Sequence, residues 1–209
     1  NVAVGNSSLK ALTSGDNNLA MGYNALTANT TGSSNIAIGY GSLAAVTTVS
    51  ENIAIGYNAM SGAATSYNIA IGSEALKSSV DGTNTNNVAI GWWSQRLVDS
   101  GNRNVSLGNW SLDDATSGSY NTAIGSYGLS GLSTGSNNTG VGYQAGDVIT
   151  DGGNNTLIGY NADPSSNSAS NQTVIGYEAT GQANNSVVLG NDDVTAVYMA
   201  EDKGATVYA

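Results

Sequence analysis

The stretch Asn18–Leu26 reads NLAMGYNAL, and it recurs almost unchanged as NIAIGYGSL at Asn35–Leu43 and as NIAIGYNAM at Asn52–Met60. Twelve copies align on its central glycine, at Gly5, Gly22, Gly39, Gly56, Gly72, Gly91, Gly108, Gly125, Gly142, Gly159, Gly176 and Gly190. Most neighbouring copies are 17 residues apart, as Gly5 and Gly22 are. The repeat is one residue shorter before Gly72, two residues longer before Gly91 and three residues shorter before Gly190. So regular a period predicts a stacked solenoid, because a disordered chain has no reason to keep register.

Each copy is predicted to form one short strand followed by turns. Bulky apolar residues stand three and one before the glycine, as at Ile53 and Ile55, and the residue between them is small, as at Ala54. Since side chains alternate across a strand, one face of each strand is bulky and apolar and the other is flat. A leucine or methionine returns four residues after the glycine, as at Leu26, and is expected to close the core of the coil. Isoleucine at alternate positions among glycine and asparagine excludes a helical repeat.

The flat face of the strands carries a row of small residues, Ala20, Ala37, Ala54, Ala70, Ala89 and Ala123. A face in contact with water would drift towards Ser, Thr, Lys or Glu over twelve copies, whereas small residues let another backbone approach closely. Strands that are apolar on both faces are usually buried on both faces. The row is therefore interpreted as trimer or core packing residues, and the favoured place is a contact between copies of the chain about a symmetry axis.

Asparagine stands four residues before the repeat glycine in ten of the twelve copies, and Gln172 and Ser186 replace it in the other two. Stacked asparagine side chains can form hydrogen bonds along a ladder and also satisfy the backbone of turns. A row of polar ion ligands is the alternative, and the structural ladder is favoured.

These residues resemble the head repeats of trimeric autotransporter adhesins, the YadA-like heads, which are also found in bacteriophage and prophage tail fibres. The resemblance is clearest at Gln172–Gly190, QTVIGYEATGQANNSVVLG, where the coil is shorter than elsewhere in the chain. The resemblance implies a left-handed parallel β-roll, with three chains together and no enzymatic activity. Taken with the glycine spacing, it predicts an all-β solenoid of about twelve 17-residue coils, although this period is longer than the coil of the family. Residues 1–190 are accordingly predicted to form the repetitive β-roll.

The C-terminal residues 191–209 break the repeat and are predicted to form a cap or the start of the next fibre module. Apolar and polar residues alternate there as in a strand at Val194, Ala196 and Tyr198, and a turn is expected at Asp202–Gly204.

Composition excludes several kinds of chemistry. The chain has no histidine and no cysteine, so a Cys/His zinc site, a Ser-His-Asp triad and a disulfide framework are impossible. Five basic residues against fifteen acidic ones give a net charge of −10, which argues against a nucleic-acid partner. No apolar run approaches the roughly 18 residues of a membrane span, so no membrane insertion by this segment is expected. No cofactor, metal site or catalytic residue is predicted.

Hydrolysis of a polysaccharide is the enzymatic alternative, and it requires two carboxylates about 5 to 9.5 Å apart. The acids are scattered along the chain; Asp147 and Asp163 could meet across two coils, but so could many solvated acids in the loops. Asp147 and Asp151 also lie near tight turns with oxygen ligands of the type that calcium prefers, but solvated turn acids are the favoured interpretation.

Aromatic residues mark one irregular stretch of the repeat. The position two after the glycine is usually polar, as at Asn24, and is therefore expected to face water; it becomes aromatic in three consecutive coils, at Trp93, Trp110 and Tyr127. Trp92, Arg96 and Arg103 lie in the same stretch. Flat aromatic faces beside polar donors suit a sugar ring, so these six residues are the predicted ligand-binding surface. Packing beneath a loop or against a neighbouring chain is the alternative.

A second aromatic row, one residue after the glycine, is too regular to be a local site. It is predicted to support the edge of the coil or a subunit seam, and it comprises Tyr23, Tyr40, Tyr57, Tyr143, Tyr160 and Tyr177. The sequence thus predicts an extracellular, homotrimeric fibre or adhesin segment that attaches to a glycan or protein receptor on a host cell surface. A virion tail fibre is the favoured context, and a bacterial surface adhesin head is the alternative.

Overall fold

The computed structural model describes residues 1–62, 65–77 and 83–197, and within these ranges the regular secondary structure consists of short strands. Each strand ends directly before a repeat glycine. The strands are β1 (Val2–Val4), β2 (Leu19–Met21), β3 (Ile36–Ile38), β4 (Ile53–Ile55), β5 (Ile69–Ile71), β6 (Val88–Ile90), β7 (Val105–Leu107), β8 (Thr122–Ile124), β9 (Thr139–Val141), β10 (Thr156–Ile158), β11 (Gln172–Ile175) and β12 (Ser186–Leu189). The glycine ends the strand because its φ is positive, for example 129° at Gly125.

All twelve strands belong to one parallel sheet, in which the strands are ordered as they are in the sequence. The register follows the glycine spacing: Val2 pairs with Leu19, Ile53 with Ile69, and Ile69 with Val88. The chain therefore climbs by one strand per repeat, through about eleven turns. The predicted all-β parallel solenoid is confirmed, whereas its handedness and the number of chains stay predictions.

The alanine row lies inside the coil. All six alanines are fully buried by residues of their own chain, namely Ala20, Ala37, Ala54, Ala70, Ala89 and Ala123. The bulky strand residues point the other way, and Val4 and Leu107 are about half exposed. The favoured placement of the alanine row at a contact between chains is therefore corrected, because a single chain already covers these side chains.

The interior is too narrow for a large side chain on most strands. Gly140 takes the place of the alanine in β9, and a Cβ added there would lie 2.9 Å from Leu129 Cγ and 2.8 Å from the carbonyl oxygen of Ala145. The leucine four residues after the repeat glycine thus fills the space beneath the strand. Its row is buried at Leu9, Leu26, Leu43, Met60, Leu76, Leu112 and Leu129. Since this row occupies the interior, the bulky strand residues have to face outwards.

The last coils exchange large and small residues between these two rows. Leu157 and Val174 stand at the alanine position, while Gly146 and Asp163 stand at the leucine position. A Cβ on Gly146 would lie only 2.5 Å from Leu157 Cδ1, so the larger strand residue has taken the space of the missing leucine. The side-chain volume inside the coil is therefore similar along the solenoid, although in the last coils the strand position rather than the leucine position supplies it.

The asparagine row forms the predicted ladder. The backbone N–H and the side-chain Nδ2 of Asn35 both donate to Asn18 Oδ1, each at 3.0 Å, and Nδ2 also donates to the carbonyl oxygen of Val49 at 2.8 Å. The same pattern recurs at Asn121 and Asn138. Because these side chains are buried, each bond satisfies a group that would otherwise be costly to remove from water.

The C-terminal strand expected from Val194 onwards is not formed in the described residues 194–197. The backbone N–H of Val194 donates to the carbonyl oxygen of Asn191 at 3.1 Å in a turn, and residues 194–197 adopt no regular element. Tyr198 and the expected turn at Asp202–Gly204 lie outside the described residues.

Candidate functional site

The outward side chains of the strands form a continuous apolar surface, called here the apolar strip. Two bulky residues per coil contribute in most strands, including Ile53 and Ile55 in β4, with threonine at one position in β8, β9, β10 and β11. These residues are half-buried or exposed over the whole sheet. Large exposed apolar patches on soluble proteins usually mark a contact surface.

The tyrosine row stacks in two columns along the solenoid. Ring centroids are 5.1 Å apart between Tyr23 and Tyr40 and 5.4 Å apart between Tyr40 and Tyr57, with interplanar angles of 17° and 20°. Tyr143, Tyr160 and Tyr177 stack in the same way. Each inner ring, such as Tyr40, therefore has a stacked ring on both faces, whereas the end rings have one on a single face; all six tyrosines are exposed.

Between the two columns lies the tryptophan cluster, which comprises Trp92, Trp93, Trp110 and Tyr127. Trp93 and Trp110 are in close contact, with centroids 4.3 Å apart at 61°, and Tyr127 stacks on Trp110 at 5.9 Å. Trp92 is tilted by 45° to Trp93 and by 78° to Trp110. Tyr127 also meets Tyr143 edge-on at 5.9 Å, so the cluster continues into the second tyrosine column.

Arg96 lies over this cluster and is held by an acid from the next coil. Its guanidinium carbon is 4.1 Å from the Trp93 ring centroid and 5.9 Å from that of Trp110. Nε and Nη2 donate to the two carboxylate oxygens of Asp113, at 2.9 and 3.1 Å. Burial raises the pKa of Asp113, and the contact with Arg96 opposes this shift. The bidentate pair fixes Arg96 across the rings.

Three of the four aromatic residues of the cluster occupy strained backbone positions. Trp93, Trp110 and Tyr127 have φ values of 59°, 61° and 61°, in the left-handed region where other coils have residues such as Asn24. Asparagine tolerates this region, whereas a bulky residue does so at a cost of about 1 kcal/mol. Strained residues persist where the surroundings hold them, and here those surroundings are the neighbouring rings and Arg96.

Arg103 is separate from the cluster. Its Nη1 donates to the hydroxyl of Tyr120 at 2.7 Å, and its guanidinium carbon is 5.4 Å from the Tyr120 ring. Both residues precede their strands, whereas the cluster follows them. Arg103 therefore lies at the other end of the strand from the rest of the predicted surface. The structure brings together the other five predicted residues, Trp92, Trp93, Trp110, Tyr127 and Arg96.

Exposure within the cluster differs from the sequence expectation. Trp92, which lies one residue after its glycine, is 46% exposed, whereas Trp93 and Trp110 are only half-buried beneath their neighbours. The role of Asp113 was not predicted from the sequence. Asp113 stands one repeat period after Arg96, at the equivalent position of the next coil, and this spacing is the signal that would have paired them.

A buried polar cluster replaces the usual apolar core behind the tryptophans. Gln95 stands at the leucine position, and its Nε2 donates to the carbonyl oxygen of Val88 at 2.9 Å and to Ser106 Oγ at 2.8 Å. Ser106, at the alanine position, also bonds Ser94, which is 3.3 Å from Ser111. These bonds satisfy most of the buried polar groups and tie two coils together beneath the cluster.

Asp147 and Asp163 lie close enough to interact electrostatically. Burial, reinforced by the charge of Asp147, raises the pKa of Asp163 to about 6, although the backbone N–H of Gly146 opposes the shift. Burial also raises the pKa of Asp147, and Gln144 Nε2 opposes this by donating to its carboxylate at 2.9 Å. A groove of about 370 Å³ lies farther along, lined in part by Glu178, Thr180 and Asp193, and neither acid of the pair contributes to it.

The raised pKa of Asp163 predicts a protein that becomes less stable as pH rises through the window from about 4 to 6. The folded chain binds more protons than the unfolded chain there, so stability is greatest below the window. Above it the ionised carboxylate costs about 2 kcal/mol, a figure reduced for solvent screening of a half-buried group. Asp163→Asn should raise the melting temperature at pH 7.5 and reduce the difference between pH 4.5 and pH 7.5. Asp151→Asn, which removes an exposed charge, is the matched control, and an Asp163→Asn protein with the wild-type pH profile would contradict the prediction.

Metal-binding clusters and membrane-spanning helices are both absent from the described ranges. Residues 1–62, 65–77 and 83–197 contain no group of three or more Asp or Glu side chains arranged to hold a metal ion. In the same part of the chain, no helix has the length and apolar character needed to cross a membrane. Comparison of the chain with protein-family models, curated proteins and solved structures gave no match.

Proposed function

We propose that the chain is a segment of a homotrimeric extracellular fibre or adhesin, which gives rigid reach and multivalent attachment to a cell surface or glycan. A tail fibre of a phage or phage-like particle is the first context, and a bacterial surface adhesin head resembling the YadA-like family is the second. The sequence flanking the segment discriminates them: a C-terminal chaperone or a virion-attachment region supports the first, and a coiled-coil stalk with a membrane anchor supports the second.

The apolar strip is the observation that carries this proposal. It follows the outer face of the sheet in a chain whose net charge is −10 and whose remaining surface is rich in Ser, Thr and Asn. Leaving such a surface in water forgoes about 25 cal/mol for each Å² of apolar area that a partner would cover. Three solenoids packed by their strips about a common axis would bury it in every coil.

The interior of the solenoid supports the part of the proposal that concerns reach. One parallel sheet and the buried asparagine ladder connect successive coils by hydrogen bonds. Eleven steps of about 4.8 Å give a rod of roughly 50 Å. Three parallel chains would present three tryptophan clusters at the same height, so that weak contacts could act together.

The proposal predicts a trimer in solution. Sedimentation equilibrium should give three times the chain mass of 21.0 kDa, unchanged across a hundredfold range of concentration, because an obligate apolar contact does not dissociate at ordinary concentrations. Negative-stain images should show short rods. A mass of one chain at every concentration would refute the assembly, and a mass of two chains would replace the trimer by a dimer.

A polysaccharide-degrading enzyme is the second candidate, and the acid pair is the observation in its favour. A glycosidase needs one protonated and one ionised carboxyl group, and Asp163 has a raised pKa beside Asp147. Against it, Asp163 stands at the core leucine position and the described groove is elsewhere. Release of reducing ends from a capsular polysaccharide, abolished by Asp163→Asn, would establish this candidate.

A further inference from the structure

We infer that Trp92 is the stacking platform for a neutral surface polysaccharide, with one pyranose ring lying on the open face of its indole. Trp93, Trp110, Arg96 and Asp113 hold that platform in place. The inference deepens the attachment role proposed above by naming the ligand class, and it rests on that role for its biological context.

Ring stacking distinguishes Trp92 from the inner members of the tyrosine columns, such as Tyr40. Trp92 and Tyr40 are almost equally exposed, at 46% and 51%. Tyr40, however, has Tyr23 stacked on one face and Tyr57 on the other. Among the described residues, the rings that Trp92 meets are tilted by 45° and 78°, and none is stacked parallel to it. A pyranose binds an aromatic ring through its C–H face, which requires an uncovered ring face.

The support beneath Trp92 is rigid. Trp93 and Trp110 are packed against each other, and Arg96 lies on Trp93 while both of its bonded nitrogens are held by the buried carboxylate of Asp113. The backbone N–H of Trp92 donates to Asn109 Oδ1 at 2.9 Å. A platform fixed before binding loses little conformational freedom when the ligand docks.

The charges around the platform favour a neutral sugar. The charge of Arg96 is paired with Asp113, and Arg103 is engaged by Tyr120 at the other end of the strand. The whole chain is acidic, so an anionic glycan or a nucleic-acid strand would be repelled. Asn109 is exposed beside Trp92 and supplies an uncharged amide suited to sugar hydroxyl groups.

The test measures binding of neutral and acidic oligosaccharides by the whole chain. Hexasaccharides of glucose, galactose, mannose and N-acetylglucosamine form the neutral set, and polysialic acid, oligouronates and single-stranded DNA form the acidic set. Tryptophan fluorescence and a glycan array report binding, and sedimentation reports the number of chains. We expect the wild-type chain to bind at least one neutral member, Trp92→Ala to weaken it at least tenfold, and the matched control Tyr40→Ala to leave it unchanged.

Several outcomes would overturn the inference: no binding to any neutral member, preferential binding to an acidic one, unchanged binding by Trp92→Ala, or equal losses in Trp92→Ala and Tyr40→Ala. Dissociation of the assembly by Trp92→Ala would assign the ring to a contact between chains instead. The proposed function fails separately, since a chain that binds the sugar as a monomer keeps the platform and loses the trimer. A trimer that binds no neutral sugar would keep the proposed assembly and refute the platform.

Discussion

Replacing Gly125 by alanine is expected to break the middle of the solenoid and to lower its melting temperature by about 10 °C or more. Gly125 has a φ of 129°, and an added Cβ would lie 2.6 Å from the carbonyl carbon of Gly142 in the next coil. Neither backbone can move away, because the strands on both sides pair in register. The combined clash and backbone strain should cost about 4 kcal/mol, and each kcal/mol corresponds to roughly 2–4 °C in a chain of this size.

A matched control for this prediction lies three residues away in the same coil. Gly128 does not have a positive φ, and a Cβ added there would lie 3.3 Å from the carbonyl oxygen of Gly125 and 3.7 Å from Ala123 Cβ. Other coils already have alanine at this position, as at Ala25 and Ala145. Gly128→Ala should therefore leave the melting temperature within a few degrees of the wild-type value. Circular dichroism melts of both variants at one concentration measure the contrast, and equal effects would contradict the stacked glycine column.

The repeat glycines made the register of the fold predictable. Any parallel solenoid with one strand per repeat has to pair residues that are one spacing apart, so the positions of Gly72 and Gly91 already implied the pairing of Ile69 with Val88 across the longest coil. The asparagine ladder was predictable for the same reason, since its chemistry requires the same residue at one height in successive coils.

The facing of the strands could not be obtained from alternation alone. The alternation of side chains along a strand places Ala54 on one face and Ile53 and Ile55 on the other, but it does not say which face points into the coil. Size suggested the isoleucines, and only the packing of Leu129 beneath Gly140 shows that the space under the strand is already occupied. The leucines were correctly expected to close the core, but neither their spacing nor the alternation within a strand says which face of the strand they pack against.

The aromatic residues that the sequence places in consecutive coils do contact one another, whereas their ligand binding stays a prediction. The change from polar to aromatic residues at Trp93 and Trp110 identified the coils in which these rings pack together. Which ring keeps an open face depends on tilts between neighbours, and the bracing of Arg96 by Asp113 depends on side-chain paths between coils. Residue spacing predicts neither the ring tilts nor the paths of these side chains, so only the structure identifies Trp92 as the more exposed tryptophan.

Lysine substitutions at two adjacent residues of β4 should have opposite consequences. Ala54→Lys places a charged side chain in a core where alanine is fully buried, and a buried unpaired charge costs several kcal/mol. This variant should lose its cooperative melt and its β-type circular dichroism. Ile53→Lys places the same side chain on the outward apolar strip, where its ammonium group can reach water. Each coil should keep its fold, while the proposed trimer should dissociate to single chains.

Ile53→Thr separates the loss of assembly from a loss of folding, because threonine occupies the equivalent position in β8, β9, β10 and β11. It should fold and remain assembled with slightly reduced stability, since it removes only part of the apolar contact in one coil. Thermal melts of the three variants then test whether Ala54 faces the core, and sedimentation tests whether Ile53 faces another chain. A wild-type mass for Ile53→Lys would remove the apolar strip from the interface, and a stable, folded Ala54→Lys would contradict the buried alanine row. The two residues are neighbours in one short strand, so a coil that tolerates no substitution would lose its fold in both lysine variants. Unfolding by Ala54→Lys together with dissociation by Ile53→Lys can arise only because one side chain points inwards and the other outwards.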